Sequence, residues 1–229
     1  MIQKYKTIFF DLDHTLWDFE ANSTATLLEL ISKYALQQWA APASFIEVYQ
    51  QINQQMWQLY HQQQIDKEAL RLQRFVKTLA YFNINDNKLA AQLSDEYLAI
   101  CPHKGQLFAH AHEVLEYLQS KYQLLIITNG FREVQNIKID AAQLRSYFHH
   151  CIVSEDVGHL KPNAPIFEYA MQLANSSPKQ CLMIGDNYEA DIIGAADVGI
   201  DTVLFNAPQP NKLTATYQVQ NLKQLLQFL

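Results

Sequence analysis

Apolar residues are concentrated in five short segments, each bounded by polar residues or glycine and each too short for a helix. We predict that these segments are buried strands: Lys6–Leu12, Gln123–Thr128, His149–Ser154, Cys181–Gly185 and Asp201–Phe205. Segments of helical length and period precede the second strand and separate the last four: Ala109–Lys121, Phe131–Leu144, Asn163–Ala174 and Asn187–Val198. Strands that alternate with helices predict an α/β fold, in which a Rossmann-like parallel sheet is flanked by helices.

A stretch of about a hundred residues without a strand pattern separates the first two predicted strands, whereas ordinary connections are only a few residues long. Its apolar residues recur every three or four positions from Phe45 to Tyr60, as on an amphipathic helix. Similar patterns occur in Ala25–Tyr34, Leu70–Phe82 and Leu89–Leu98. We therefore predict an inserted bundle of helices at residues 16–103 and a sheet core at residues 1–15 and 104–229, with boundaries uncertain by about five residues.

Composition and charge narrow the class of protein. Of 229 residues, 49% are hydrophobic and 17% are charged, which provides a substantial core and excludes a disordered chain. The net charge is −6 and the basic residues form no run, so we expect no nucleic-acid polymer as a partner.

The chain also lacks the patterns of membrane and secreted proteins. No apolar segment reaches the ~20 residues that span a bilayer, and the N terminus has no signal-peptide core, so we expect no membrane partner. The three cysteines, Cys101, Cys151 and Cys181, are far apart and match neither a disulfide framework nor a zinc site. We expect a reducing, cytoplasmic location, and the sequence leaves the oligomeric state open.

Polar residues lie at the ends of several predicted strands. Asp11 and Asp13 end the first, Thr128 to Gly130 end the second, Lys161 follows the third, and Asp186 ends the fourth. Because ligands of open parallel sheets bind beyond the carboxyl ends of the strands, we expect these residues to meet at one edge.

The chemistry of this edge favours a divalent cation and a phosphate. Neighbouring acids repel each other, and Mg²⁺ would relieve that repulsion by taking oxygens from Asp11, Asp186 and water. Lys161 would supply positive charge, while Thr128 and the amides near Asn129 and Gly130 would donate hydrogen bonds to phosphate. The helix that begins near Phe131 would add its N-terminal dipole.

Together these motifs resemble those of the haloacid dehalogenase superfamily, the phosphatases with an aspartate nucleophile. The four matching motifs, which occur in the family's order, are Asp11-Leu12-Asp13-His14-Thr15, Thr128-Asn129-Gly130, Lys161-Pro162 and Gly185-Asp186 with Asp191. The inserted helices resemble the cap of that family, so the resemblance covers the whole chain.

The resemblance implies a role for each motif residue in a Mg²⁺-dependent reaction on a small phosphate monoester. Asp11 would be the nucleophile that forms an aspartyl-phosphate, and Asp13 would be the general acid and base. The metal ligands would be Asp11, the backbone carbonyl of Asp13, and Asp186. Asp191 would hold the metal's waters or Lys161.

Longer stretches resemble the bacterial pyrimidine 5′-nucleotidases within this superfamily. They are Thr128–Phe131 with Gln135, Ser154–Gly158, Lys161–Asn163 leading to Ile166-Phe167, and Trp17. This implies a pyrimidine nucleoside 5′-monophosphatase. The alternatives are a phosphatase of phosphoglycolate or sugar phosphates, a phosphomutase, and, in a different class, a non-enzymatic phospho-receiver module.

Substrate choice would depend on the groups near the leaving group. Trp17, Phe131, Trp57 and Tyr60 could stack on a flat base. The helical spacing of Trp57 and Tyr60 also fits the interior of the inserted bundle, so both interpretations stay open for them.

Overall fold

The computed structural model describes residues 4–206 and 215–229. The chain divides into a sheet unit, Met1–Phe19 with Gly105–Leu229, and a helical unit, Glu20–Lys104. The assignment of residues 16–103 as a cap on a catalytic core stays a prediction.

In its described residues, the sheet unit contains six parallel strands in the order β3-β2-β1-β4-β5-β6. They are β1 (Thr7–Phe10), β2 (Gln123–Thr128), β3 (His150–Val153), β4 (Cys181–Gly185), β5 (Asp201–Phe205) and β6 (Tyr217–Val219). The α/β class and the five predicted strands are confirmed, whereas β6 was not predicted.

Strand β1 lies at the centre of the sheet because its residues are apolar or small on both faces and are fully buried. Phe10 pairs with Ile126 of β2 and with Ile184 of β4. The residues that follow these three strands therefore leave the sheet side by side, which brings three motifs to one edge.

The helical unit is built from four helices, in agreement with the predicted bundle. They are α1 (Phe19–Lys33), α2 (Pro42–His61), α3 (Lys67–Tyr81) and α4 (Asn87–Ile100). Asp66 and Asp86 cap α3 and α4, since their carboxylates accept hydrogen bonds from the amides of Ala69 and Leu89.

Further helices of the sheet unit cover the sheet. They are α5 (Ala111–Gln119), α6 (Arg132–Ala141), α7 (Ser154–Val157), α8 (Ala164–Leu173) and α9 (Gly194–Asp197). A π-helical turn, Tyr188–Ile193, precedes α9 within the predicted helix Asn187–Val198. In the described ranges, we find no helix with the length and apolarity required to cross a bilayer.

Candidate active site

Lys161 is the centre of a buried ionic cluster beyond the carboxyl ends of β1 and β4. Its ammonium donates to Asp11 Oδ1 and Asp191 Oδ1, each at 2.6 Å, and to the carbonyl of Ile127 at 2.8 Å. Lys161 and Asp191 are 3% and 1% exposed. Because an ammonium has only three N–H groups, all of them are engaged, and Lys161 offers its surroundings positive charge rather than a free donor.

Asn129 fixes the backbone of Lys161. Its side-chain amide donates to the carbonyl of Lys161 at 2.9 Å, and its side-chain oxygen accepts from the amide of Lys161 at 2.8 Å. The Asn129 side chain therefore holds the lysine segment in place, and the predicted phosphate binding by the amides near Asn129 and Gly130 stays a prediction.

Thr128 and Gly130 are placed at the end of β2, next to Gln135 of α6. The Thr128 hydroxyl oxygen accepts from the Gly130 amide at 3.1 Å and from Gln135 Nε2 at 2.7 Å. Since both bonds are accepted, the hydroxyl proton remains available for a ligand oxygen. A Cβ on Gly130 would overlap the amide of Gln135, so glycine makes room for this arrangement.

Asp186 is held in place from the loop that follows β1. Its backbone amide donates to the Thr15 hydroxyl at 3.1 Å, and that hydroxyl lies 3.1 Å from Asp186 Oδ1. Asp11, Asp186 and Asp191 each present a carboxylate oxygen within 4.8 Å of the other two. A side chain at Gly185 would overlap Asp191, so glycine allows this approach.

The acids of this cluster are short of positive charge. Burial, followed by the neighbouring charge of Asp191, raises the pKa of Asp11 to about 7 in spite of Lys161. Burial, followed by the charge of Asp11, raises the pKa of Asp186 to about 6. With all groups ionised, three carboxylates and one ammonium sum to −2, the charge that one divalent cation balances. The donors are oxygens only, which suits Mg²⁺.

Asp13 lies apart from these acids and is bonded to α6. Its Oδ1 accepts from Lys138 Nζ at 2.6 Å and its Oδ2 accepts from Gln135 Nε2 at 2.7 Å. Burial alone would raise the pKa of Asp13, but the Lys138 charge and these hydrogen bonds hold it below its usual range.

Sequence analysis did not identify Lys138 and gave Gln135 no role. The sequence signal was limited to helical spacing, which places Gln135 and Lys138 on one side of α6 with Ile139, and the structure shows that all three are buried. Polar residues on the core-facing side of a helix require partners, and here the partner is Asp13.

The predicted specificity residues have different surroundings. Trp17 is fully buried, with the Lys138 ammonium 4.3 Å from its ring centroid, and Phe131 is 4% exposed. In the helical unit, the half-buried rings of Trp57 and Tyr60 pack edge to face at 5.7 Å. Their role in substrate choice stays a prediction.

Comparison with known proteins finds a matching family model and relatives that are similar over almost the whole chain. Residues 5–199 match the haloacid dehalogenase-like hydrolase family. The chain is 32% identical over 231 residues to pyrimidine 5′-nucleotidase YjjG of Escherichia coli (strain K12), covering 99% of this chain and 98% of that protein. It is 32% identical to pyrimidine 5′-nucleotidase PynA of Streptococcus pneumoniae (strain ATCC BAA-255 / R6), covering 98% and 95%.

A solved structure is also similar to this chain over almost its whole length. YfnB from Bacillus subtilis, crystallised with magnesium bound, aligns with a TM-score of 0.87 and 28% identity over 98% of each chain. These similarities confirm the fold class and the resemblance that the motifs predicted.

Proposed function

The chain belongs to the haloacid dehalogenase-like hydrolase family, and on that premise we propose that it is a Mg²⁺-dependent phosphatase of pyrimidine nucleoside 5′-monophosphates. The observation that carries the proposal is the cluster around Asp11. This carboxylate ends the central strand, is bonded to the buried ammonium of Lys161, and lies beside Asp186 and Asp191. Two relatives named as pyrimidine 5′-nucleotidases, each similar over almost its whole length, support the substrate class.

The proposed reaction has two steps. In the first, Asp13 takes up the proton of the bound phosphate monoanion, because its carboxyl group is ionised in the free enzyme. An Asp11 oxygen then attacks phosphorus and forms an O–P bond, while the bond to the leaving alcohol breaks and Asp13 gives this proton to the departing oxygen. In the second, Asp13 takes a proton from water, whose oxygen attacks phosphorus and displaces Asp11. Phosphate leaves with that proton, and Asp11 and Asp13 return to their ionised states.

The other residues stabilise charge and position the phosphoryl group. Lys161 offsets the charge on Asp11, and the free proton of the Thr128 hydroxyl is suited to a phosphoryl oxygen. In this proposal Asn129 acts by holding the Lys161 backbone, and Gly130 by making room for Gln135.

The metal would be bound by Asp11, Asp186 and the backbone carbonyl of Asp13. Asp191 would hold Lys161 or the metal's waters. Bound Mg²⁺ supplies positive charge to the acids and to the phosphate. The magnesium-bound structure of YfnB supports this choice of ion.

The same proposal includes the helical unit and the location of the protein. The helical unit acts as the cap that selects the leaving group, with Trp17, Phe131, Trp57 and Tyr60 as candidates for contact with the base. No disulfide joins Cys101, Cys151 or Cys181, which fits a reducing cytoplasm.

A phosphate-release screen tests the proposal. Pyrimidine and purine nucleoside 5′-monophosphates, sugar phosphates and phosphoglycolate are supplied with Mg²⁺ or with EDTA. We expect pyrimidine nucleotides to have the highest kcat/KM, EDTA to abolish turnover, and Asp11→Asn to lower kcat by at least about 1,000-fold. Faster hydrolysis of sugar phosphates would refute the substrate class.

Two further results would refute hydrolysis as the function. Transfer of labelled phosphate to a second hydroxyl of a sugar phosphate, rather than to water, would indicate a phosphomutase. Phosphorylation of Asp11 that stops after one equivalent per chain would indicate a phospho-receiver.

A further inference from the structure

The buried face of α6 holds both oxygens of Asp13. Gln135 and Lys138 are three positions apart, so their side chains project from the same side of the helix. Lys138 donates to Oδ1 and Gln135 donates to Oδ2, at 2.6 and 2.7 Å. A carboxyl group that is bonded at both oxygens to one rigid helix has little freedom to rotate.

Gln135 also connects Asp13 to the end of β2. Its Nε2 lies 2.7 Å from both Asp13 Oδ2 and the Thr128 hydroxyl oxygen, and the side chain is fully buried. The Gln135 amide thus sets the distance between the Asp13 carboxyl group and the Thr128 hydroxyl. In the proposed reaction, Asp13 acts on the leaving group and Thr128 binds the phosphoryl group.

Lys138 is itself held in place by the loop that carries Asp13. Its ammonium lies 4.3 Å from the ring centroid of Trp17 and 5.7 Å from that of Phe19, and the residue is 5% exposed. The Trp17 carbonyl accepts from the amide of His14, next to Asp13. Lys138 therefore contacts this loop at two points, the carboxylate of Asp13 and the ring of Trp17.

Fold stability alone does not account for this buried pair. Two charges lose their hydration on burial, and an apolar pair of similar volume commonly gives equal or greater stability. A methionine in place of Lys138 would keep a side chain of similar length but would lose both the cation–π contact with Trp17 and the ion pair with Asp13. Besides lowering the pKa of Asp13, the ammonium fixes the direction in which this carboxyl group points.

We propose that Lys138 and Gln135 are positioning residues that fix the carboxyl group of Asp13 for proton transfer to the leaving oxygen. This inference rests on the proposed function. With the ammonium bonded to Oδ1, the transferable proton is carried by Oδ2, which can accept from Gln135 and still donate its own proton. The proton passes to the leaving oxygen as its bond to phosphorus breaks.

The test is the dependence of kcat/KM on the leaving group in the Mg²⁺-loaded enzyme. This parameter covers binding and the steps up to departure of the alcohol, so attack by water does not contribute. We expect Lys138→Met to lower kcat/KM about 10- to 100-fold for a nucleoside monophosphate, whose alkoxide needs a proton. For p-nitrophenyl phosphate, whose leaving group departs as a stable anion, we expect a change below about threefold.

A double-mutant cycle separates positioning from structure. If Lys138 acts through Asp13, Lys138→Met is expected to cause no further loss in an Asp13→Asn enzyme. Gln135→Leu is a second variant with the same expected pattern, should Lys138→Met fold poorly. Asp140 also lies on α6 and forms an exposed ion pair with Arg145, which follows the helix. Asp140→Asn is therefore the matched control and is expected to leave the leaving-group dependence unchanged.

Three outcomes would overturn the inference. They are an equal fall for both leaving groups, a Lys138→Met effect that persists in the Asp13→Asn enzyme, and an unchanged leaving-group dependence in both α6 variants. Failure of the proposed function would give other results. The wild-type protein would then hydrolyse no phosphate monoester, or the Asp11→Asn variant would be as active as the wild type.

Discussion

The sheet unit and the helical unit each bury a basic side chain, and they surround it differently. Lys161 of the sheet unit is bonded to two carboxylates and a carbonyl. Arg74 of the helical unit is 4% exposed and donates to the side-chain oxygen of Asn53 at 3.2 Å. Its guanidinium carbon lies between 4.7 and 5.9 Å from three ring centroids, those of Tyr97, Phe75 and Tyr49.

The surroundings of Lys161 are those of an ionic site, whereas the surroundings of Arg74 are those of a packed interior. Three rings and an amide oxygen contact Arg74, and these groups carry no charge. Around Lys161 there are more acids than one ammonium can balance, and the pKa values of Asp11 and Asp186 rise as a result of burial and mutual repulsion. Unbalanced buried charge is unfavourable for stability, and it is typical of sites that bind ions or carry out chemistry.

The largest expected difference between the two cations is in activity. Lys161→Met removes the positive charge beside Asp11, the proposed nucleophile, so we expect kcat/KM for a nucleoside monophosphate to fall by about 1,000-fold. Arg74→Met removes contacts with rings and an amide, so we expect kcat/KM to stay within about threefold of wild type. Steady-state phosphate release checks both. An equal loss in the two variants would contradict the contrast, because Arg74 would then contribute to the reaction as much as Lys161.

The next difference is in stability. In EDTA at pH 8, Lys161→Met leaves three neighbouring acids, two of them buried, without a cation, and we expect a loss of about 3–5 kcal/mol in the free energy of unfolding. Arg74→Met removes cation–π contacts that contribute about 2 kcal/mol to the free energy of unfolding. Part of this loss is offset, because the variant no longer has to bury a charge. Hydrogen exchange of β4 and of α3 measures the local stability of each unit and is the suitable measurement. Greater loss of protection in Arg74→Met would reverse the ranking.

Much of the sheet unit was predictable from sequence because its central strands are buried on both faces and are therefore continuous apolar runs. Strand β6 gave no such signal, since Tyr217–Val219 is three residues long, lies at the sheet edge and is only partly buried. The first strand ends at Phe10, earlier than predicted, because the chain turns after Leu12, whose carbonyl accepts from the amides of Leu16 and Trp17.

The candidate site was predictable to the extent that parallel strands bring their ends together. Asp11, Lys161 and Asp191 meet for that reason. Pairings that depend on how a helix face meets a loop were not predictable. The bond between Lys138 and Asp13 spans 125 positions, and no local spacing encodes it.

The smallest of the three predicted effects concerns pH. For Asp11 and Asp186 the folded-state pKa values, about 7 and about 6, lie above the ~3.9 of an unfolded aspartate. Such groups favour the folded state most fully below pH ~4, and this contribution is lost as the pH rises through 6 and 7. In EDTA we therefore expect the free energy of unfolding to increase by about 1–2 kcal/mol from pH 8 to pH 6.

We expect this pH dependence of the free energy of unfolding to come from the sheet unit, because the groups of the helical unit with shifted pKa values do not contribute to it. Burial raises the pKa of Tyr49 to about 12, and hydrogen bonds from Lys33 and Tyr34 lower that of Glu96, so neither titrates between pH 6 and pH 8. The lowered pKa of Asp13 has the opposite sign, but its contribution is lost only in more acidic solution, below this window.

Mg²⁺ should reverse the trend, because the ion binds the ionised acids and adds more stability at pH 8 than at pH 6. Thermal unfolding of wild type and Asp11→Asn, each in EDTA and in Mg²⁺, measures the effect while the eight histidines remain common to both proteins. The expected result is a flatter pH profile for Asp11→Asn in EDTA. Identical profiles would mean that Asp11 is not short of positive charge, and the contrast with Arg74 would then reduce to a difference in packing.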